Sequence, residues 1–218
     1  TLNWFCDDHW RFDSFSRTWA PAFNWVVTTH KSVLPKYSTL GYKNVIHSQW
    51  ACNHYLYKKM NMPFKYDVSF VGQPFGRRRK TINQLKRDRI DVNTWGFGWP
   101  SGRVTLQEMV SIFNQSKINL DFPEFSRGER GIKARPFEIA GSGGFVLTEY
   151  LEELSDYFKI GEEIECYKDD GELVDKIKWY LTHDDERQRI ASRGYERVQI
   201  NHTYQMRFKD IFKIIGLS

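Results

Sequence analysis

Residue types that could do chemistry are concentrated between residues 126 and 148, in the sequence SRGERGIKARPFEIAGSGGFVLT. Gly128 and Gly131 predict a loop, and Lys133 and Arg135 follow it beside a predicted helix. Free backbone N–H groups, a helix N-terminus and two cations together are suited to binding a diphosphate. The alternative is a solvated basic loop ahead of an ordinary glycine helix stop, and these features alone favour neither interpretation.

Strands and helices that alternate along the chain must position this segment. Short apolar runs predict strands at 24–28, 44–47, 67–71, 91–95, 118–120, 145–148 and 163–166. Helices are predicted at 31–40, at 77–88, from Thr105 with Glu108 completing a capping box, at 132–142 and through most of the C-terminal part. This alternation is typical of an α/β fold with a Rossmann-like, doubly wound parallel sheet, at whose carboxyl edge ligands bind.

Bulk composition limits the class of protein. The chain has 218 residues, of which 40% are hydrophobic and 27% charged, as in ordinary globular proteins. No apolar run approaches the roughly 20 residues that span a bilayer. Three widely spaced cysteines argue against a disulfide framework or a zinc site, and favour a cytoplasmic location. Without an initiator methionine, the sequence is interpreted as starting within a fold, so it could be a fragment.

Charge is distributed unevenly along the chain, although the net charge is only +5. Seven basic residues lie between Arg77 and Arg89, whereas eleven acidic residues lie between Glu149 and Asp175. A local positive patch of this kind fits an anionic ligand better than a uniformly basic nucleic-acid surface. A nucleic-acid-binding module stays open as an alternative, but no nucleic-acid partner is expected.

Several motifs, in a fixed order, resemble one protein family. KARPFEIAGSGGFVLT is followed by Phe158, Gly161 and Glu162, and later by Tyr180-Leu181 and Glu186-Arg187. Upstream, YDVSFVGQPFGRR and SKINLDF resemble the strands of the same family, and the run from His202 to Arg207 resembles its last helix. The pattern resembles the family 1/family 4-type glycosyltransferases of GT-B fold that are related to spore-maturation proteins.

The resemblance implies a fold and a set of site residues. The family has two facing Rossmann-like domains, and its C-terminal domain binds a nucleotide sugar. Residues 61–200 would form this domain, 1–60 the remnant of the acceptor-side α/β domain, and 201–218 a C-terminal helix. The implied sugar-donor-binding residues are Gly72, Arg77, Gly131, Lys133, Arg135, Phe137 and Glu138.

Roles follow from the same resemblance. Glu138 would accept hydrogen bonds from the two ribose hydroxyls, while Lys133 and Arg135 would bind the diphosphate and neutralise the leaving group in place of a metal. A plain helix-face glutamate is the alternative for Glu138. For Arg77, a surface charge among the neighbouring basic residues is an equally good interpretation.

The implied reaction is transfer of a sugar from a nucleoside diphosphate to a glycan, lipid or protein acceptor, without metal or other cofactor. Retaining members of the family often carry two glutamates separated by seven residues. Here that first position is Arg130, and Glu129 lies one place earlier, so Glu129 is a candidate for the sugar contact and retention is favoured but not fixed. A non-catalytic nucleotide-sugar binder and peripheral membrane contact through the basic patch are further alternatives.

One further cluster, Asp7-Asp8-His9, invites interpretation as a metal site or a base. Three adjacent side chains cannot easily face one ion, so we expect no metal there. Asp8 and His9 have two interpretations: an acceptor-side base, or a role in helix capping or a surface salt bridge. The sequence favours the second.

Overall fold

The computed structural model describes residues 1–125 and 128–217, and these divide into two compact units. The first unit contains Thr1–Trp50 together with the chain from Tyr204 onward, and the second contains Ala51–Thr203. The second unit thus begins before the domain boundary placed after residue 60. The stretch from Tyr204 groups with the first unit. The proposed domain limits stay predictions.

The first unit is a three-stranded parallel sheet with short helices. Its strands pair in the order β1-β2-β3 and are β1 (Leu2–Phe5), β2 (Trp25–Thr28) and β3 (Val45–His47). Its helical segments are α1 (Asp8–Arg11), a π-helical turn (Phe12–Ser16), α2 (Arg17–Trp19), 3₁₀ turns (Ala20–Ala22 and Lys31–Val33), α3 (Leu34–Thr39) and α9 (Tyr204–Ile214). Strand β1 was not predicted from the sequence, because its polar and aromatic residues do not form an apolar β-branched run.

The second unit is a five-stranded, all-parallel sheet in the order β5-β4-β6-β7-β8. Its strands are β4 (Tyr66–Val71), β5 (Val92–Trp95), β6 (Ser116–Asp121), β7 (Val146–Glu149) and β8 (Glu165–Tyr167). Its helical segments are α4 (Arg78–Arg87), α5 (Leu106–Gln115), α6 (Arg135–Gly141), a 3₁₀ turn (Glu152–Asp156), α7 (Asp170–Thr182) and α8 (Asp184–Asn201). The predicted Rossmann-like α/β fold is confirmed.

Packing of apolar strand residues holds the second unit together. Val68 of β4, Ile118 and Leu120 of β6 and Leu147 of β7 are almost completely buried in one core cluster. Helices cover both faces of a parallel sheet, so its strands are apolar on both sides. This is why the strands could be predicted from short apolar runs in the sequence. At roughly 25 cal/mol per Å², such burial is the main stabilising contribution to the unit.

Local signals set several helix ends. Helix α5 begins at the predicted capping box, in which the Thr105 hydroxyl accepts from the Glu108 N–H and the Glu108 carboxylate accepts from the Thr105 N–H. Helix α6 begins at Arg135, three residues later than predicted, and has seven residues. Pro136 at its first turn explains this start, because proline fits an initial helical turn. In the described part of the chain, none of the helices combines the length and the apolar character needed to cross a membrane.

Candidate functional site

The candidate site lies at the carboxyl edge of the five-stranded sheet. Strands β4 and β6 are neighbours, and β5 and β7 lie on their outer sides, so the connections leave β4 and β6 in opposite directions. Ligands of open α/β sheets bind in the crevice at such a switch point. The loop after β4 (residues 72–77) and the described parts of the loop after β6 (residues 122–125 and 128–134) border this crevice, and the second loop contains Gly128 and Gly131.

Arg78 ties these two loops together from inside the protein. Its guanidinium donates to the carbonyl of Gln73 at 3.2 Å and to the carbonyls of Phe122 and Glu124 at 2.9 Å each. The residue is only 8% exposed, and burial lowers the pKa of its guanidinium, although Asp121 and Glu124 oppose this. In the sequence, Arg78 is one of the basic residues that compete with Arg77 for a phosphate contact, whereas the structure shows it joining the two loops.

Glu124 makes a second connection between the loops. Its carboxylate accepts from the Arg77 N–H at 2.9 Å, and its carbonyl accepts from the Lys133 ammonium at 2.5 Å. A side chain at Gly76 would place Cβ only 2.3 Å from the Glu124 carboxylate, and Gly76 has a φ of +57°. The positive φ favours glycine at this position, and any side chain there would displace the Glu124 carboxylate from the Arg77 N–H.

Glu149, at the end of β7, holds two arginines at the edge of the sheet. The Arg77 and Arg130 guanidiniums each lie 2.6 Å from Oε1 of Glu149, whose side chain is only 3% exposed. The arginine side chains are 40% and 52% exposed. Each guanidinium has five N–H donors, so pairing with one carboxylate oxygen leaves donors to receive a phosphate. Sequence analysis placed Glu149 in the acidic stretch and missed this role, which its position at a strand end could have signalled.

Asp121, at the end of β6, lies behind these cations. Its carboxylate accepts from the Thr148 hydroxyl at 2.9 Å and is buried. Burial raises the pKa of Asp121, while the hydrogen bond from Thr148 and the charges of Lys133 and Arg78 oppose this shift. The ammonium of Lys133 also lies 4.4 Å from the centre of the Phe125 ring. The predicted phosphate-binding lysine is thus held in the loop at the carboxyl edge.

Two buried hydrogen-bond donors near this edge have no protein acceptor among the described residues. They are the Tyr167 hydroxyl at the end of β8 and Nε of Arg78. Burial raises the pKa of Tyr167, and the negative charge of Glu149 adds to this, so the hydroxyl keeps its proton. Unsatisfied buried donors are uncommon and call for an explanation, such as a bound ligand or water.

Arg135 and Glu138 form a separate pair on α6. Arg135 lies 2.8 Å from Oε2 of Glu138 and also contacts Sδ of Met109. The Tyr57 hydroxyl donates to Oε1 of Glu138 at 2.8 Å. Burial and the Glu138 carboxylate raise the pKa of Tyr57, which therefore stays a donor. A carboxylate has about four lone-pair positions, so the two contacts leave acceptor capacity on Glu138.

Phe137 is part of the interior of its unit. Its ring is fully buried and packs against Tyr157, Phe158 and His202 in the interior of the second unit. Its role toward a sugar donor stays a prediction.

Three other predicted site residues contribute backbone geometry. The N–H of Gly72 donates to Trp95 at 2.8 Å, and that of Gly131 donates to Pro123 at 3.2 Å, so both N–H groups are used within the protein. The carbonyl of Glu129 accepts from the N–H of Phe125, and the Glu129 side chain is exposed in the loop. The role of Glu129 toward a sugar stays a prediction.

The Asp7-Asp8-His9 cluster lies in the first unit. The Asp8 carboxylate is buried and accepts from Ser16 at 2.6 Å and Tyr37 at 2.8 Å. Burial raises its pKa. Over residues 1–125 and 128–217, no group of three or more histidine, cysteine, aspartate or glutamate side chains is arranged to hold a metal ion.

A parallel sheet in this strand order, with a switch point between β4 and β6, defines a Rossmann-like fold. Residues 77–213 match the family model described as "Glycosyl transferase-like". The chain belongs to this glycosyl transferase-like family. The resemblance stated from the sequence is thereby confirmed.

Individual relatives agree with this assignment. The chain is 24% identical over 207 residues to the spore protein CgeB of Bacillus subtilis (strain 168), covering 78% of this chain and 61% of CgeB. The chain therefore spans less than two thirds of the length of that curated relative.

Solved structures show the same fold. HepE of Anabaena, crystallised in complex with UDP-glucose, superposes with a TM-score of 0.73 at 11% identity, over 99% of this chain and 71% of HepE. Sucrose-phosphate synthase from Thermosynechococcus elongatus gives a TM-score of 0.66 at 12% identity, over 88% of this chain and 58% of the other. At such low identity, the likeness concerns the fold, which is that of the GT-B glycosyltransferases.

Proposed function

We propose that the second unit binds the diphosphate of a nucleotide sugar at the carboxyl edge of its sheet, and that the whole protein transfers the sugar to an acceptor. The observation that carries the proposal is the arrangement of Arg77 and Arg130 around the buried carboxylate of Glu149. Two fixed, partly exposed guanidiniums at a topological switch point are suited to a diphosphate. Membership of the glycosyl transferase-like family supports sugar transfer.

The chemistry expected of this site is stabilisation of a leaving group. When the bond between the sugar and the diphosphate breaks, negative charge grows on the phosphate oxygens. Arginine donors that are already in place stabilise this charge without having to reorganise. Lys133, held at the same loop by the Glu124 carbonyl, supplies a third cation. We propose that these cations replace a divalent metal, and that no cofactor takes part.

Recognition of the nucleoside is assigned to Glu138. Its carboxylate, fixed by Tyr57 and Arg135, would accept hydrogen bonds from the ribose hydroxyls. UDP is the first nucleotide to test, because the related fold of HepE was crystallised with UDP-glucose. GDP is the alternative nucleotide.

Stereochemistry and acceptor are proposed only in outline. We favour retention of configuration. Glu129, which is exposed, is our candidate for the sugar contact because it lies one residue before the position at which retaining members carry a glutamate. The acceptor is a glycan, a lipid or a protein. Retention would be tested by proton NMR of the anomeric centre in the first product formed by the full-length protein, and an inverted product would overturn it.

A cytoplasmic location is part of the proposal. It rests on the thiols of Cys52 and Cys166, which are buried and unpaired and whose pKa burial raises to about 12. Peripheral contact with an anionic membrane would require the basic residues of α4. Cell fractionation, followed by a high-salt wash of the membrane fraction, separates these two locations.

Calorimetric titration with UDP, GDP and ADP, with and without EDTA, tests the binding site. Arg77→Ala and Arg130→Ala should each weaken binding of the preferred nucleotide by about tenfold or more, because each removes a charge-assisted hydrogen bond. Arg193→Ala is the matched control, since Arg193 is an exposed arginine of α8 that also pairs with a glutamate, Glu162. Binding that depends on a metal, or that survives both variants unchanged, would contradict the proposed site.

A further inference from the structure

A second cavity lies at the opposite, amino edge of the same sheet. It has a volume of about 290 Å³ and lies where β6 begins at Ser116 and where Phe145 leads into β7. The segment 59–64 and the N-terminal half of α8 close its sides. Its volume lies near the lower limit of small-molecule pockets. It is separate from the carboxyl-edge site, so the inference does not rest on the proposed function.

Arg187 is a buried guanidinium that lines this cavity. Its side chain is only 1% exposed, and Nη1 pairs with Asp184 at 2.8 Å and donates to the Tyr180 carbonyl. Among the described residues, no acceptor lies within hydrogen-bond distance of Nη2. Leaving a buried charged donor unsatisfied costs roughly 1–3 kcal/mol or more. The guanidinium also lies 5.6 Å from the centre of the Phe64 ring, which lines the same cavity. An oxyanion that reached Nη2 from the cavity would remove this cost.

The remaining lining complements an organic anion. Lys59 and Lys117 also line the cavity, and none of the described lining residues is acidic. Met60, Met62 and Phe113 add apolar surface next to these cations. A charged end and an apolar end in one pocket match a ligand with an oxyanion attached to an apolar body.

Two of the three cations, Arg187 and Lys117, have acidic partners that do not line the cavity. Lys117 pairs with Asp67 at 2.7 Å, and both side chains are partly exposed, so water screens the pair. The Lys59 ammonium lies 5.5 Å from the centre of the Tyr195 ring, a contact that brings no negative charge. Three cations and two acidic partners leave the cavity with one excess positive charge, that of Lys59.

We propose that the amino-edge cavity binds a small organic oxyanion, a carboxylate or phosphate on an apolar body, through Nη2 of Arg187. The apolar part of the ligand would rest on the methionine and phenylalanine side chains. Gly143 and Gly144, which end α6 and lead to β7, also line the cavity, so the ligand would contact the turn after the helix that carries Glu138.

Titrations with phenyl phosphate, benzoate and the neutral benzamide test this proposal, with saturating UDP present to fill the carboxyl edge. We expect the two anions to bind and benzamide to bind about tenfold more weakly or not at all. Ser192→Trp should abolish binding, because Ser192 is an exposed lining residue whose replacement would fill the cavity. Lys59→Glu should weaken it about fivefold or more.

Lys209→Glu is the control, since Lys209 is an exposed lysine of the first unit and should leave anion affinity unchanged. Arg187→Met is informative only if circular dichroism shows that the variant folds, and then it should behave as Ser192→Trp does. Absence of anion binding, or binding that persists in Ser192→Trp but is lost in Arg77→Ala, would overturn the proposal. The second result would assign the anion to the carboxyl edge.

Discussion

The hydroxyl of Tyr57 donates a 2.8 Å hydrogen bond to the carboxylate of Glu138, which lies 81 residues further along the chain. The bond links the segment that precedes β4 to helix α6. Because burial and the Glu138 carboxylate raise the pKa of Tyr57, the phenol keeps its proton and remains the donor at neutral pH. Glu138 is thereby held in one orientation before any ligand arrives.

Loss of the Glu138 carboxylate, or of the Tyr57 hydroxyl that orients it, should weaken nucleotide binding. We expect Glu138→Ala to reduce affinity for the preferred nucleoside diphosphate by about tenfold to a hundredfold, since it deletes hydrogen bonds to a charged group. Tyr57→Phe should reduce it by only a few-fold, because the carboxylate stays but is less well fixed. Glu153→Gln, a change on an exposed 3₁₀ turn, is the control. Equal affinities for Glu138→Ala and the control, measured by calorimetry, would remove Glu138 from the site.

Glu149 should contribute to stability as well as to binding. Glu149→Gln removes a buried negative charge and leaves Arg77 and Arg130 without a counterion. Because both arginines are partly exposed, water screens them, and we expect a loss of about 1–2 kcal/mol in the free energy of unfolding. This corresponds to a fall in Tm of about 3–6 °C. Glu162→Gln, which breaks the exposed pair with Arg193, should cost less than about 0.5 kcal/mol; similar losses in the two variants would argue against a special role for Glu149.

Gly96 should be the glycine least tolerant of substitution at the edge of the sheet. Its φ is +136°, and an added Cβ would lie 2.4 Å from the carbonyl oxygen of Gly72. Gly96→Ala should therefore lower the free energy of unfolding by about 2–4 kcal/mol in urea titrations. Gly102 also has a positive φ, +70°, but open space around it, so Gly102→Ala should cost only about 1 kcal/mol. A smaller loss for Gly96→Ala than for Gly102→Ala would show that this contact is not limiting.

His30 should make the first unit sensitive to acid. Burial, with the charges of His9 and His47, lowers its pKa to about 4. The unfolded chain takes up a proton near the ordinary pKa of about 6.5, before the folded protein does. The stability due to His30 is therefore present above that pH and is lost as the pH falls toward 4.

A His30→Gln variant tests the direction of this pH dependence of stability. Between pH 7 and pH 4.5, the wild-type free energy of unfolding should fall by about 1–3 kcal/mol more than that of the variant. The difference is measured by urea titration at several pH values. Parallel curves for the two proteins would mean that His30 titrates alike in the folded and unfolded states.

Much of the fold could be predicted because its signals are local. The apolar run of β4 and the Thr105–Glu108 capping box act over a few residues, and the structure forms both as expected. The start of α6 was misplaced because the preceding loop and the helix share similar residues, and the fixed φ of Pro136 decides the boundary.

Much of the candidate site could not be predicted, because its contacts join distant parts of the sequence. Arg78 is one of four consecutive basic residues, and nothing in that run distinguishes it as the buried one that donates to the loop carbonyls after β6. The partners of Glu149 depend on strand order, which places the end of β7 beside the loops after β4 and β6. Pattern reasoning on one sequence contains no information on such pairings.

The contact between Gly76 and Glu124 also limits how this protein could be re-engineered. The Glu124 carboxylate fills the space at Gly76 and accepts a hydrogen bond from the Arg77 N–H. The conformation of the loop after β4 therefore depends on the conformation of the loop after β6. A chimaera that imports a foreign segment 72–78 alone would meet a mismatched surface. An exchange of these loops should therefore take both of them together from the same parent.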